Sequence, residues 1–217
     1  GLGDVYKRQV IVHTMLAFQK HPDITSIAVV CLCGWETVLH SYAHQYNVTK
    51  LHWIFPGGGN GQESIANGIY GLKENGVKED DLVLIHDAVR PLVSQGIISS
   101  NIAICKQYGY AITGIQCREA ILESDDGFYS TTSIPRDKLI RTQPPQTFRL
   151  TNIIKSHEEA RQKGIRNSVS SCTLLAELGG YEMHIVPGEE RNIKITTTED
   201  LEIFKVLMQT SKEDWLK

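Results

Sequence analysis

The sequence predicts an α/β fold, a mostly parallel sheet with flanking helices, and three observations carry that expectation. Short apolar runs alternate with stretches of helical period along most of the chain. Runs such as Ile27–Leu32 and Leu82–Ile85 are apolar at every position, as strands covered on both faces are. No repeat and no linker rich in Pro, Gly or Ser divides the 217 residues, a length that suits one domain with a sizeable core.

The elements follow in order. Val10–Lys20 reads as a helix stopped at His21-Pro22, and Ile27–Leu32 as a buried strand. Trp35–Tyr46 is helical, and Lys50–Phe55 is a strand ended by Pro56 and three glycines. Gln62–Asn75 places Ile65, Ile69 and Leu72 on one helical face and stops at Gly76. Leu82–His86 is a second buried strand, Ile97–Tyr108 a helix, and Ala111–Ile115 a further strand. Ala120–Ile134 breaks the alternation. It reads as two strands around Ser124-Asp125-Asp126-Gly127, where Asp-Gly signals a hairpin. Its far side, Tyr129–Ser133, is polar on both faces, and a lone strand pair with so little to bury is not stable. The segment is therefore expected either to project as an arm onto a second subunit or to form a solvated hairpin. A short strand carrying Lys194 and a last helix opened by Thr198 complete the reading.

Composition excludes several classes. With 41% hydrophobic and 22% charged residues the chain is neither disordered nor fibrous. A formal net charge of −3 argues against a surface that coats nucleic acid. Apolar stretches are strand-length, well short of the roughly 20 residues of a membrane span. Five cysteines without paired spacing fit free thiols in a reducing cytoplasm. Gly1–Gln9 has no apolar stretch of a secretory signal. Its Asp4–Gln9 hexapeptide looks like the translated end of a transposon used in sequencing libraries. The natural domain is expected to begin near Val10, with a segment missing upstream.

Chemistry concentrates in four places. Leu82–Ile85 delivers His86, Asp87 and Arg90 to the carboxyl end of a strand, the edge where open α/β sheets bind ligands. An aspartate there can hold a divalent cation or a hydroxyl, and an arginine can clamp phosphate, although the two can also simply pair. Phe55–Ser64 leads from strand to helix through Gly57, Gly58, Gly59 and Gly61, where N–H groups suit an anion or a base edge. It is neither a Walker loop nor a full dinucleotide fingerprint. Lys194 is a candidate for neutralising phosphate oxygens, or a solvated strand lysine. Arg136, at the proline-stiffened base of the arm, is a phosphate clamp or a partner of Asp137. The histidines lack metal-ligand spacing and no nucleophile elbow is present.

Together these pieces resemble the cytidylyltransferases that make 2-C-methyl-D-erythritol cytidyl diphosphate in isoprenoid synthesis, and their relatives acting on ribitol 5-phosphate. The resemblance runs from Val10 to the C-terminus on Gly57-Gly58 through Ser64, Asn67-Gly68, His86–Pro91, Arg136, Gln146 with Phe148, Asn192–Thr196 and Glu199–Leu201. It implies a Rossmann-like domain, a homodimer whose β-arm (about residues 120–148) reaches the neighbouring site, and Mg²⁺-dependent transfer of CMP from CTP to a polyol phosphate. Carried over by position, Gly57, Gly58, Ser64 and Ala88 lie at the nucleotide, Asp87 at substrate and metal, Arg90 at substrate, Lys194 near the α-phosphate, and Arg136 in the partner's site.

The departures matter too. The opening strand and glycine-rich loop of the family, with the arginine and lysine for the triphosphate, would lie upstream of Val10, so the chain is expected to turn over poorly as it stands. Gly61 replaces an arginine, Ala120 and Pro144 stand where the methylerythritol enzymes have threonines, and Ser170-Ser171 replaces Thr-Asp. A pentitol phosphate destined for a cell-surface polymer fits about as well as methylerythritol phosphate. A nicotinamide-dependent oxidoreductase and a non-catalytic remnant are the competing readings.

Overall fold

The computed structural model describes residues 9–209. Helix α1 (Val10–Gln19) leads into β1 (Ile27–Cys31), α2 (Glu36–Gln45), β2 (Leu51–Pro56), α3 (Gly61–Glu74), β3 (Leu82–Ile85), α4 (Gln95–Tyr108) and β4 (Tyr110–Gln116). The hairpin β5 (Ile121–Glu123) and β6 (Thr132–Ile134) follows, then a 3-10 turn at Arg136–Lys138. The chain closes through β7 (Ile140–Arg149), α5 (Leu150–Gln162), α6 (Ser171–Leu178), β8 (His184–Pro187) and α7 (Thr198–Gln209). The elements read from the sequence up to β4 stand within two residues of their expected ends. Residues 1–8, which hold most of the suspected scar, lie outside the described residues.

Three sheets carry the fold. β1 and β2 pair in parallel; β3, β7, β4 and β8 form a mixed sheet in that order; β5 and β6 form the arm. β4 runs parallel to β8, whereas β7 lies antiparallel between β3 and β4. β7 is the strand that sequence reading misses, because Pro144-Pro145 lies in its middle and proline cannot donate to a ladder. The sheet accommodates them with a register shift opposite Ile112 and Thr113. The arm is accordingly shorter than residues 120–148: beyond Ile140 the chain is core strand.

Helices cover both faces. Phe18, Ile97, Ile98 and Ile102 form one layer with Ile27, Leu82 and Leu84. On the other face Ile69, Leu72, Leu150, Ile153 and Leu175 pack with Phe148, Val83 and Ile85. Under the proline break lies a buried polar network. Asn101 donates from Nδ2 to the Ile97 carbonyl at 3.0 Å and to Thr113 Oγ1 at 2.8 Å, while its Oδ1 accepts from Thr147 Oγ1. Thr113 Oγ1 in turn donates to the Pro145 carbonyl at 2.7 Å. The network supplies polar contacts at the place where two prolines remove ladder donors.

This assigns Asn101 a structural weight that its place on a helix does not announce. Asn101→Leu strands the Thr147 hydroxyl in the core and lowers unfolding free energy by roughly 2 kcal/mol in chemical denaturation. An unchanged midpoint would show that the network is incidental.

Candidate active site

The carboxyl end of β3 delivers a loop that is tied on three sides. His86 is buried behind the loop and donates from Nε2 to the Arg90 carbonyl at 3.0 Å, with its ring against Phe18. Thr14 of α1 donates to the Ala88 carbonyl at 2.7 Å. Ile195 N donates to the Val89 carbonyl at 2.9 Å, which fastens segment 192–195 onto the loop. That segment is not the short strand expected around Lys194; it is irregular backbone held by this bond and by Asn192.

Those ties bring the expected charges together. Arg90 donates from Nε to Asp87 Oδ2 at 3.2 Å and from Nη1 to the Asn192 carbonyl at 2.6 Å. Lys194 Nζ stands 3.6 Å from the same Asp87 oxygen. Asp87 and Arg90 are thus paired with each other, and Arg90 also walls a cavity. Asp87 Oδ1 has no protein partner among the described residues, and that oxygen, with the oxygens of a bound phosphate, is a suitable donor set for a hard divalent cation. No cluster of three or more His, Cys, Asp or Glu side chains suits a metal among the described residues, so a resident metal held by protein alone finds no cage.

Next to the pair is a cavity of about 270 Å³ walled by Arg90, Arg141, Gln143, Glu190, Asn192 and Lys194, among others. Arg90 is mostly committed to the protein, with 14% of its side chain exposed, whereas Lys194 is 51% exposed. Arg141, ion-paired with Glu190, brings a further cation. Sequence reading did not single out Arg141 as a wall of this cavity, because the strand that carries it was not recognised. Asn192 is fully buried and donates to the Pro144 carbonyl at 2.8 Å, which anchors the segment to the proline break of β7.

The glycine loop is built differently from the expectation. Gly57 N donates to the Cys31 carbonyl, Gly58 N to Ser64 Oγ at 3.0 Å, and Gly59 N to Glu63 Oε2 at 2.8 Å. Asn60 caps α3 by accepting from Glu63 N. Three of the four glycine N–H groups expected to greet an anion, those of Gly57, Gly58 and Gly59, are thus bonded within the protein. Gly58 is needed for the loop's shape, since a Cβ there would lie 2.3 Å from the Glu63 Cβ and 2.8 Å from backbone. Ser64 serves as the clasp. A larger cavity of about 460 Å³ lies between α3 and α5 and shares no wall residue with the cavity beside Arg90 and Lys194.

Arg136, like Gly57, Gly58 and Ser64, is not among the residues that wall the cavity beside Arg90 and Lys194. It sits exposed at the base of the arm and donates from Nη1 to the Arg118 carbonyl at 2.7 Å. Beyond it the hairpin displays Phe128 and Tyr129, each more than four-fifths exposed.

An open α/β sheet with an Asp-Arg-Lys cluster at strand ends defines a nucleotide- or phosphate-handling enzyme fold. The chain belongs to the family described as IspD, 2-C-methyl-D-erythritol 4-phosphate cytidylyltransferase, which matches residues 2–210, and it is therefore a nucleotidyltransferase of the cytidylyltransferase kind. It is 32% identical over 207 residues to a ribitol-5-phosphate cytidylyltransferase of Lacticaseibacillus paracasei, covering 94% of this chain and 88% of that one. It is 33% identical to a 2-C-methyl-D-erythritol 4-phosphate cytidylyltransferase of Clostridium acetobutylicum, covering 93% and 86%. The fold matches that of the 4-diphosphocytidyl-2C-methyl-D-erythritol synthase from Anaerococcus prevotii with a TM-score of 0.82 at 24% identity, over 94% of this chain and 87% of that one. The nicotinamide-dependent alternative finds no support.

The buried imidazole behind the loop has a measurable signature. Burial pushes the His86 pKa down to about 4 and, in α5, that of His157 also to about 4. Unfolded, both return to the usual value near 6.5, so the unfolded chain binds protons that the folded chain refuses. Stability from these groups is complete above about pH 6.5 and declines as pH falls towards about 4. Denaturation across that window should reveal uptake approaching two protons per chain on unfolding, and one fewer in His157→Leu. A flat stability profile over that range contradicts the assignment.

Proposed function

We propose that this site transfers CMP from CTP to a linear polyol phosphate, with ribitol 5-phosphate the preferred acceptor. The observation that carries the reading is Lys194 and Arg90 converging on one Asp87 oxygen beside a cationic cavity. An oxygen of the acceptor's phosphate attacks the α-phosphorus of CTP, the bond from that phosphorus to the β-bridging oxygen breaks, and pyrophosphate leaves with the electron pair. The attacking oxygen is already anionic, so no general base is required. Catalysis then rests on alignment and charge neutralisation.

Each side chain has a role in that scheme. Lys194, half-exposed, neutralises the α-phosphate oxygens as charge shifts towards the leaving group. Arg90 fixes the Asp87 carboxylate and lends the cavity its nearest guanidinium. Gly57, Gly58, Ser64 and Ala88 shape the wall for cytosine and ribose. Asp87, through its free Oδ1, would hold Mg²⁺ together with phosphate oxygens, and the ion when bound supplies further charge neutralisation at the triphosphate. The ribitol preference rests on Ala120, Pro144 and Ser170-Ser171, which replace residues the methylerythritol enzymes use to shape their acceptor pocket. It also agrees with the names of several curated relatives.

The arm completes the proposal. Its aromatic tip is exposed and Arg136 forms no ion pair among the described residues, which fits a homodimer in which Arg136 of one subunit clamps phosphate in the site of the other. Cytoplasmic residence follows from the substrates. No helix among the described residues is long and apolar enough to cross a membrane.

Pyrophosphate release decides the matter, measured with ribitol 5-phosphate and methylerythritol phosphate in parallel. The assay uses the chain as it stands and the chain extended upstream of Val10 by a family-type opening strand and glycine-rich loop. The extended chain is expected to turn over, faster with the pentitol, and the shorter one only weakly. Lys194→Ala in the extended chain should lower kcat by roughly 100-fold while leaving the fold intact. No CTP-dependent turnover by the extended chain with either acceptor would sink the proposal.

A further inference from the structure

The cavity between α3 and α5 has no part in the reaction described above. At about 460 Å³ it falls within the roughly 300–1,000 Å³ that small-molecule sites occupy. Helix α3 contributes Asn67 and Tyr70 to its wall, and α5 contributes His157 and Arg161. The segment after α5 adds Ile165 and Arg166. None of these side chains has been assigned to nucleotide, acceptor or metal.

Two features of this wall are not accounted for by the fold. His157 is only 6% exposed, yet its Nε2 is buried without a hydrogen-bond partner among the described residues. Buried polar atoms are nearly always satisfied, so an orphan beside a cavity points to a group that enters it. Burial pushes the pKa of this imidazole down to about 4, so near neutral pH the ring carries one N–H donor and one bare nitrogen. The second feature is charge. Arg161 and Arg166 line the same cavity and form no ion pair among the described residues. The carboxylate on the wall, that of Glu63, is committed through Oε2 to Gly59 N at 2.8 Å. Burial raises the pKa of the Tyr70 phenol and the Arg161 charge opposes the rise, so phenol and guanidinium act on one neighbourhood.

The backbone that carries these cations is already fixed. Gln62 donates from Nε2 to the Ile165 carbonyl at 3.0 Å and accepts from Ser168 N at 2.8 Å. Asn60 donates to the Arg166 carbonyl at 3.1 Å. Arg166 therefore springs from a strapped turn, and Arg161 from the last turn of α5. A ligand meeting such a wall has little chain to order. Guanidinium forks match phosphate oxygens, and two of them without carboxylate partners suit a phosphate dianion. The apolar wall of Ala66, Ile165 and the Tyr70 ring suits an organic group joined to it.

We propose that this cavity binds a phosphate monoester of a small organic molecule, with Arg161 and Arg166 on the phosphate oxygens and Tyr70 and His157 beside them. It shares no wall residue with the cavity beside Arg90 and Lys194, and the inference is independent of the reaction proposed above.

NMR of the 217-residue chain with labelled histidine tests it, by titration with phenyl phosphate near neutral pH. His157→Leu identifies the reporting imidazole signal. That signal should shift and saturate with phenyl phosphate, and stay in place with phenol or with sodium chloride of matched ionic strength. Arg161→Gln and Arg166→Gln, both at exposed positions, should each weaken the titration roughly tenfold. Lys194→Ala, which removes a cation from the other cavity, should leave it unchanged. Four results overturn the proposal: a His157 signal that does not move, a shift matched by phenol, full affinity in the double arginine variant, or an equal loss in Lys194→Ala.

Discussion

The bond from Ile195 N to the Val89 carbonyl, with the Arg90 guanidinium on the Asn192 carbonyl, is the contact on which the rest of the site depends. It joins two stretches about a hundred residues apart and places Lys194 within 3.6 Å of Asp87. Neither side chain is buried enough to be driven there by packing. The exposed ion pair itself contributes little, since such pairs are worth at most about 1 kcal/mol. The positioning is done by backbone hydrogen bonds, with Asn192 fixed beneath them at the proline break in β7. The charged groups are guests of that scaffold, which leaves Lys194 free to exchange Asp87 for a phosphate oxygen.

The same division of labour runs through the glycine loop. Gly57, Gly58 and Gly59 spend their N–H groups on Cys31, Ser64 and Glu63, so the loop is rigid before any ligand arrives. A nucleotide would meet a preformed wall and not an open nest of donors. Rigid surroundings suit a reaction that needs alignment and charge neutralisation and no covalent intermediate.

Much of the first half was legible in the sequence because its strands are short apolar runs bounded by turn residues and its helices keep a clean 3.6 period. Asp87, Arg90 and Lys194 were legible as a group through motif order, and their meeting agrees with it. The second half hid itself for physical reasons. β7 carries two prolines and polar Thr142, Gln143 and Gln146, because a buried side-chain network, not an apolar run, stabilises it. The 192–195 segment reads as a strand by alternation but forms its bonds with a loop. Arg141 could not be placed at the cavity until β7 was known to be a strand. Whether Arg136 meets phosphate depends on a second subunit, which no single-chain pattern encodes.

The central claim is that Asp87 and Lys194 act as one unit on bound nucleotide. A double-mutant cycle on CTP affinity tests it most directly, using Asp87→Asn, Lys194→Met and the double variant. If the two share one site, the losses are non-additive, with a coupling of about 1 kcal/mol or more between them. Strictly additive losses would mean that the two residues act separately, and the assignment of the site would fail.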